Sequence, residues 1–182
     1  KLLPLKKFLE MIFLKKGKES SLLRFHPWVF SGAVAYTDKN ITEGEIVEVY
    51  TSSKEFIAVG HYQIGSIAVR VLSFNQQTID KAFWTKRLTA AYQMRKDLGF
   101  DYTDTHSSFR LVHGEGDFLP GLIVDFYGST AVMQAHSVGM HLHREEIAQC
   151  LVDISEGKIK NVYYKSETTL PYKADTGAEN GY

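Results

Sequence analysis

The hydrophobic pattern of this chain changes period once, between Ser73 and Thr78, and that change restricts the folds open to it. Before the change, short runs rich in Val, Ile and aromatic residues alternate with turn chemistry. Residues 8–14, 28–34, 45–50, 56–62 and 66–72 read as strands, separated by Lys15-Lys16-Gly17-Lys18, Thr42-Glu43-Gly44, Ser52-Ser53-Lys54 and Gly65. A short helix through Leu22, Leu23 and Phe25 is expected from a Ser20 or Ser21 cap, with Pro27 ending it by forcing His26 out of helical geometry. Strands this short and this closely spaced predict a small barrel or sandwich.

After the change, Trp84, Leu88, Ala91 and Leu98 fall on one stripe of a helix over 78–98, with Gly99 as its C-terminal cap. Residues 109–113, 122–127, 130–136 and 159–164 read as further strands, and Gly128-Ser129 as a two-residue hairpin turn. Met140, Ile147, Leu151 and Ile154 mark a second amphipathic helix. The fold class is therefore α+β: a small β-barrel over 1–75, a connecting helix over 76–103, and a mixed α/β domain over 104–182. Residues 166–182, with few aliphatic side chains and turn signals at Pro171 and Asn180-Gly181, read as an exit linker toward further protein.

A chain of 182 residues with 44% hydrophobic and 23% charged side chains has enough apolar surface to fold, which sets aside wholesale disorder. Basic and acidic residues balance at 21 each, yet residues 1–100 carry 15 basic and 9 acidic side chains against 6 and 12 in the remainder. Such asymmetry predicts halves with different work. Cys150 stands alone, so neither an intrachain disulfide nor a multi-cysteine zinc site can form; a small buried group in a reducing cytosol is expected. Lys6, Lys7 and Glu10 interrupt the apolar start before it reaches the length of a secretory core. No stretch approaches the roughly 20 apolar residues that cross a bilayer, and a soluble cytoplasmic protein is expected.

Two segments could carry chemistry. From Lys15, Lys16 and Lys18 to Arg24, His26 and Trp28, cations lie close to flat rings. Phosphates are met by mobile cations and unpaired bases by aromatic or guanidinium planes, so this run is the candidate RNA site; the alternative makes Trp28 and Phe25 barrel core. The second segment, His113-Gly114-Glu115-Gly116-Asp117-Phe118-Leu119-Pro120-Gly121, offers Glu115 and Asp117 as an acid and base pair or cation ligands. Its spacing matches neither a phosphate loop nor an EF-hand, and the expected role is structural, with Asp117 capping backbone N–H groups. A hydrolase built on the two carboxylates would need both to face one open pocket. His141 and His143 lie two apart and would point to opposite sides of a helix, so they do not make a metal pair. No dinucleotide fingerprint and no complete catalytic centre is present, and neither catalytic residue, cofactor nor metal is expected within these residues.

The run Lys18-Glu19-Ser20-Ser21-Leu22-Leu23-Arg24-Phe25-His26-Pro27-Trp28-Val29-Phe30-Ser31-Gly32-Ala33-Val34, followed by Phe56-Ile57-Ala58-Val59-Gly60-His61-Tyr62 and Ser66-Ile67-Ala68-Val69-Arg70-Val71-Leu72, resembles the N-terminal PUA domain of bacterial class I S-adenosylmethionine-dependent methyltransferases of the large-subunit ribosomal RNA cytosine-C5 type. Phe109-Arg110-Leu111-Val112-His113-Gly114-Glu115-Gly116-Asp117-Phe118-Leu119-Pro120-Gly121-Leu122-Ile123-Val124-Asp125-Phe126-Tyr127 resembles the opening of the central domain of the same enzymes, and the two matches cover most of residues 11–135. The resemblance implies a PUA barrel gripping structured RNA through Lys15, Lys16, Lys18 and Arg24, with His26 and Trp28 shaping the surface nearby. It also implies a parent that methylates ribosomal RNA with S-adenosylmethionine in a domain beyond Tyr182, so that this fragment has no activity of its own. The alternative is a protein-interaction module that docks a catalytic domain or forms a homodimer through the region of Trp28 and Tyr36.

Overall fold

The computed structural model describes residues 9–37, 41–100, 108–171 and 179–181, which divide at Gln76/Gln77 into two compact units. The outer bounds expected for the barrel at residue 1, the connecting helix at 103 and the second domain at 182 lie outside the described residues, as do Lys6 and Lys7.

Unit 1 holds six strands: β1 (Glu10–Leu14), β2 (Trp28–Phe30), β3 (Val34–Thr37), β4 (Ile46–Tyr50), β5 (Phe56–Tyr62) and β6 (Ile67–Ser73). They form one sheet in the order β2-β6-β5-β4-β1-β3. The edge strands β2 and β3 are joined by a single 3-10 turn, Ser31–Ala33. A flat sheet of six strands would hold its edges roughly 24 Å apart, whereas the link from Phe30 to Val34 spans at most about 14 Å. The sheet must therefore curl, and Ile12, Leu14, Val29, Val47, Val49 and Val69 fill its inner face.

Two expectations for this unit need correction. Residues 28–34 are not one strand but β2, the 3-10 turn and β3, because the chain must cross between sheet edges there. The helix after Ser20 is only a 3-10 turn, Leu22–Arg24, and Ser21 makes no side-chain cap. It ends at Phe25, whose left-handed backbone (φ 61°) turns the chain before Pro27 is reached.

In unit 2, β7 (Ser108–His113), β8 (Leu122–Tyr127), β9 (Thr130–Ala135) and β10 (Asn161–Tyr164) lie in the order β10-β9-β8-β7. At the β8–β9 hairpin Gly128 has φ 59°, the positive value that the first position of a tight hairpin turn requires. Helix α1 (Lys81–Asp97) is capped by Asp80, whose carboxylate accepts the Phe83 N–H at 3.0 Å. At its other end Gly99 (φ 83°) lets the Phe100 N–H return to the Arg95 carbonyl. The segment read as a connector thus contributes a helix that packs on α3 (Arg144–Ile154) and β7 inside unit 2. Trp84, Leu88 and Ala91 are buried as the stripe predicts, but Leu98 is 68% exposed because the helix ends before it.

The second expected helix is two, α2 (Val138–Leu142) and α3, broken at His143. The segment read as a linker starts with structural work. Ser166 is fully buried and its Oγ accepts the Ala135 N–H at 2.7 Å, while Thr169 Oγ1 donates to the Ala135 carbonyl at 2.7 Å. Hydroxyls satisfy the end of β9 there, and hydrogen bonding of that kind leaves no hydrophobic period to read.

Candidate nucleic-acid interface

Strand β2 alternates, and the alternation decides which of its side chains face outward. Val29 is 2% exposed and lies opposite Val69 in the core, so Trp28 and Phe30 take the other face. Trp28 pairs across the ladder with Arg70 of β6, whose guanidinium carbon lies over the indole at 5.7 Å from the ring centroid. Arg70 Nε donates to Gln63 Oε1 at 2.8 Å, which orients that plane. Two rings flank the indole: His26 lies 5.7 Å from Trp28 at 79°, Phe30 lies 6.2 Å away at 86°, and His26 and Phe30 are 5.9 Å apart. His26 Nδ1 accepts the Trp28 N–H at 3.2 Å, fixing the ring after the Pro27 bend. Trp28 is thus neither simple core nor fully exposed; it is a half-buried outer ring under an arginine.

The cations are placed by the connection between β1 and β2. Lys15 donates its backbone N–H to the Ala33 carbonyl and its Nζ to the Gly32 carbonyl, each at 2.9 Å, so its ammonium is held two residues past Phe30. Gly17 (φ 79°) closes the turn in which the Lys18 N–H bonds the Lys15 carbonyl. Lys16, Lys18 and Arg24 are exposed, and none of the four cations is ion-paired among the described residues. The structure therefore joins His26, Trp28 and, through Gly32, Lys15 at one corner of the sheet. Lys16, Lys18 and Arg24 have no hydrogen bond or ring contact to that corner among the described residues. Sequence reasoning missed Phe30 and Arg70; the alternation Trp28-Val29-Phe30 and a single arginine within the apolar strand β6 were the available signals.

The acidic loop of unit 2 has a different role. Both Asp117 oxygens are taken by the Arg95 guanidinium, one of them at 2.7 Å, and Oδ2 also accepts the His113 N–H at 2.5 Å. Arg95 Nε donates to the Arg110 carbonyl at 3.0 Å. Asp117 is consumed as a brace between α1, β7 and the loop, which removes the hydrolase arrangement. His141 hydrogen-bonds the Tyr164 hydroxyl across 2.8 Å, and His143 packs on Trp84. Burial raises the Cys150 thiol pKa, and the sulfur accepts from Thr85 Oγ1 at 3.4 Å.

Comparison with known proteins gives the class first: residues 12–74 match the PUA-like domain family. The chain is 41% identical over 142 residues to ribosomal RNA large subunit methyltransferase I of Citrobacter koseri, covering 77% of this chain and 35% of that relative. The protein of the same name from Erwinia tasmaniensis is 40% identical over the same share of each chain. The chain thus spans about a third of the length of the curated relatives it matches. A provisionally assigned SAM-dependent methyltransferase structure from Streptococcus mutans superposes with TM-score 0.72 at 16% identity, over 86% of this chain and 40% of that one. A second structure, of a provisionally assigned methyltransferase complexed with SAH, superposes with TM-score 0.72 at 17% identity, over 86% and 39%. These two establish a shared fold. Among the described residues no helix is long and apolar enough to cross a membrane.

S-adenosylmethionine, which the name of the Streptococcus mutans structure carries, is offered no glycine-rich strand-to-helix turn by the β9–α2 connection or by the concavity beside β10. Nucleotide cofactors on α/β sheets sit where a glycine-rich strand-to-helix turn opens onto a helix N-terminus. In the β9–α2 connection that turn is His136-Ser137, and the Ser137 hydroxyl already caps the Met140 N–H at 3.3 Å. The concavity beside β10, lined by Arg144, Glu145, Tyr164 and Glu179 among others, has no such turn.

Proposed function

We propose that this chain is the RNA-recognition portion of an S-adenosylmethionine-dependent methyltransferase of large-subunit ribosomal RNA, working in the cytoplasm. Lys15, Lys16, Lys18 and Arg24 meet the phosphates of structured RNA, and His26 and Trp28 shape the surface beside them. Methyl transfer is assigned to a part of the parent that these residues do not include. The observation that carries the reading is the set of exposed cations without carboxylate partners in the β1–β2 connection, of which Lys15 is held at Gly32, two residues past the outward ring of Phe30. The match of residues 12–74 to a PUA-like domain and the names of the relatives support it.

Salt dependence of RNA affinity tests the proposal on the whole chain. Counterion release gives a log–log slope of about −0.7 per phosphate contact for single strands and about −0.9 for duplex. Replacing Lys16, Lys18 and Arg24 together by Ala should flatten the slope by two to three contacts while leaving the melting temperature unchanged. RNA binding that is absent, or indifferent to salt, overturns the reading. Self-association on size exclusion without RNA binding would instead identify a docking or dimerisation module.

A further inference from the structure

We propose that Trp28, Phe30 and Arg70 form a receptor for one unpaired nucleobase, a role that rests on the RNA-recognition reading and adds a specificity site to it. The corner is built from rigid parts. Trp28 and Phe30 are rooted by Val29, and Arg70 by Val69, at 2% and 0% exposure on the core side of adjacent strands. The rings therefore need little ordering when a ligand arrives. Trp28 and Phe30 stand at 86° to each other, which gives a flat ligand one ring to stack on and the other as a wall against its edge. Phe30 is 46% exposed, so its ring is the one open for stacking, and the indole, already under Arg70, is the wall.

The surroundings select a base over an apolar peptide side chain. Arg70 is held over the indole by its hydrogen bond to Gln63 and brings a planar cation, which stacks on bases and donates to their acceptor edges. Lys15, pinned at Gly32, places an ammonium just past Phe30, where the phosphate flanking a splayed base would lie. Flat rings interleaved with cations are the elements with which single-stranded nucleic acid is bound, and a duplex keeps its base faces covered. The corner should therefore discriminate unpaired nucleotides from duplex, whereas the lysines alone would not.

The test uses the full chain with two RNAs of equal length, a hairpin carrying 2-aminopurine in its loop and a duplex without unpaired bases. Stacking losses on alanine substitution correspond to about tenfold in affinity or more. Phe30→Ala and Arg70→Gln should each weaken hairpin binding by about tenfold, leave duplex binding and the salt slope unchanged, and abolish the 2-aminopurine quench seen with the unsubstituted chain. Phe30→Tyr should restore the quench and the affinity, which separates stacking from a folding defect. Equal losses on hairpin and duplex, or no loss on either, overturn the base receptor while RNA recognition stands. Absence of binding to both RNAs by the unsubstituted chain removes both proposals. Loss of self-association in Phe30→Ala with hairpin binding intact would make the corner a protein-docking surface and overturn the inference.

Discussion

Asp117 ties α1, β7 and the loop between β7 and β8 together through Arg95 and the His113 N–H. Its side chain is 2% exposed and that of Arg95 12%, so removing one member leaves an unmatched charge in a dry setting. Asp117→Ala should therefore cost about 3–5 kcal/mol, and pairing Asp117→Leu with Arg95→Met should recover part of that, as denaturant titration would show; a cost below about 1 kcal/mol would contradict the brace. His143 gives a second residue-level expectation. Burial lowers its pKa from the ordinary 6.5, with Glu146 opposing more weakly. The folded ring stays neutral where the unfolded ring takes a proton, so its contribution is intact above about pH 6.5 and is lost as the pH falls below it. The denaturant midpoint should fall less steeply between neutral and mildly acidic pH in His143→Gln than in the unsubstituted chain.

At the scale of elements, the β5–β6 ladder controls where Arg70 sits. Gly60 lies at an irregularity of that pairing, and a Cβ there would meet the Arg70 carbonyl oxygen at 2.2 Å and its carbon at 2.8 Å. Backbone cannot yield as a flexible side chain would, so Gly60→Ala should cost about 1–3 kcal/mol or more in unit 1. It should also weaken hairpin RNA binding by moving the arginine off the indole. Urea melts with a parallel affinity measurement check both; an unchanged midpoint would mean that the strands part without strain. The Asp80 cap of α1 is a smaller lever: Asp80→Ala is expected to lower stability by about 1 kcal/mol.

For the whole molecule, the two units have separate sheets and separate cores. Calorimetry of the full chain should resolve two unfolding transitions, with Gly60→Ala lowering one and Asp117→Ala the other; a joint shift would mark one cooperative block. The charge pattern also changes meaning at this scale. The excess of six cations in residues 1–100 becomes an excess of three within residues 1–76, because α1 brings Lys81, Lys86, Arg87, Arg95 and Lys96 to unit 2. Two of those are already paired, Lys81 with Asp153 at 2.9 Å and Arg95 with Asp117. The four cations proposed to meet RNA all lie in the β1–β2 connection.

Local patterns were legible where the physics is local. The bounds of β5 and β8 match the expected strand runs residue for residue, and Gly128 and Gly99 take the backbone forms their turns demand. The cations and two rings of the candidate site follow from residues 15–28, because composition and proximity in sequence suffice to nominate them. What required tertiary structure was pairing across distance. Arg70 reaches Trp28 only through the β2–β6 register, Asp117 loses its acid–base candidacy only because Arg95 comes from another element, and Ser166 works only at the end of β9. A sequence specifies which face each side chain takes within its own strand or helix; which distant group meets it there is set by how the sheets close.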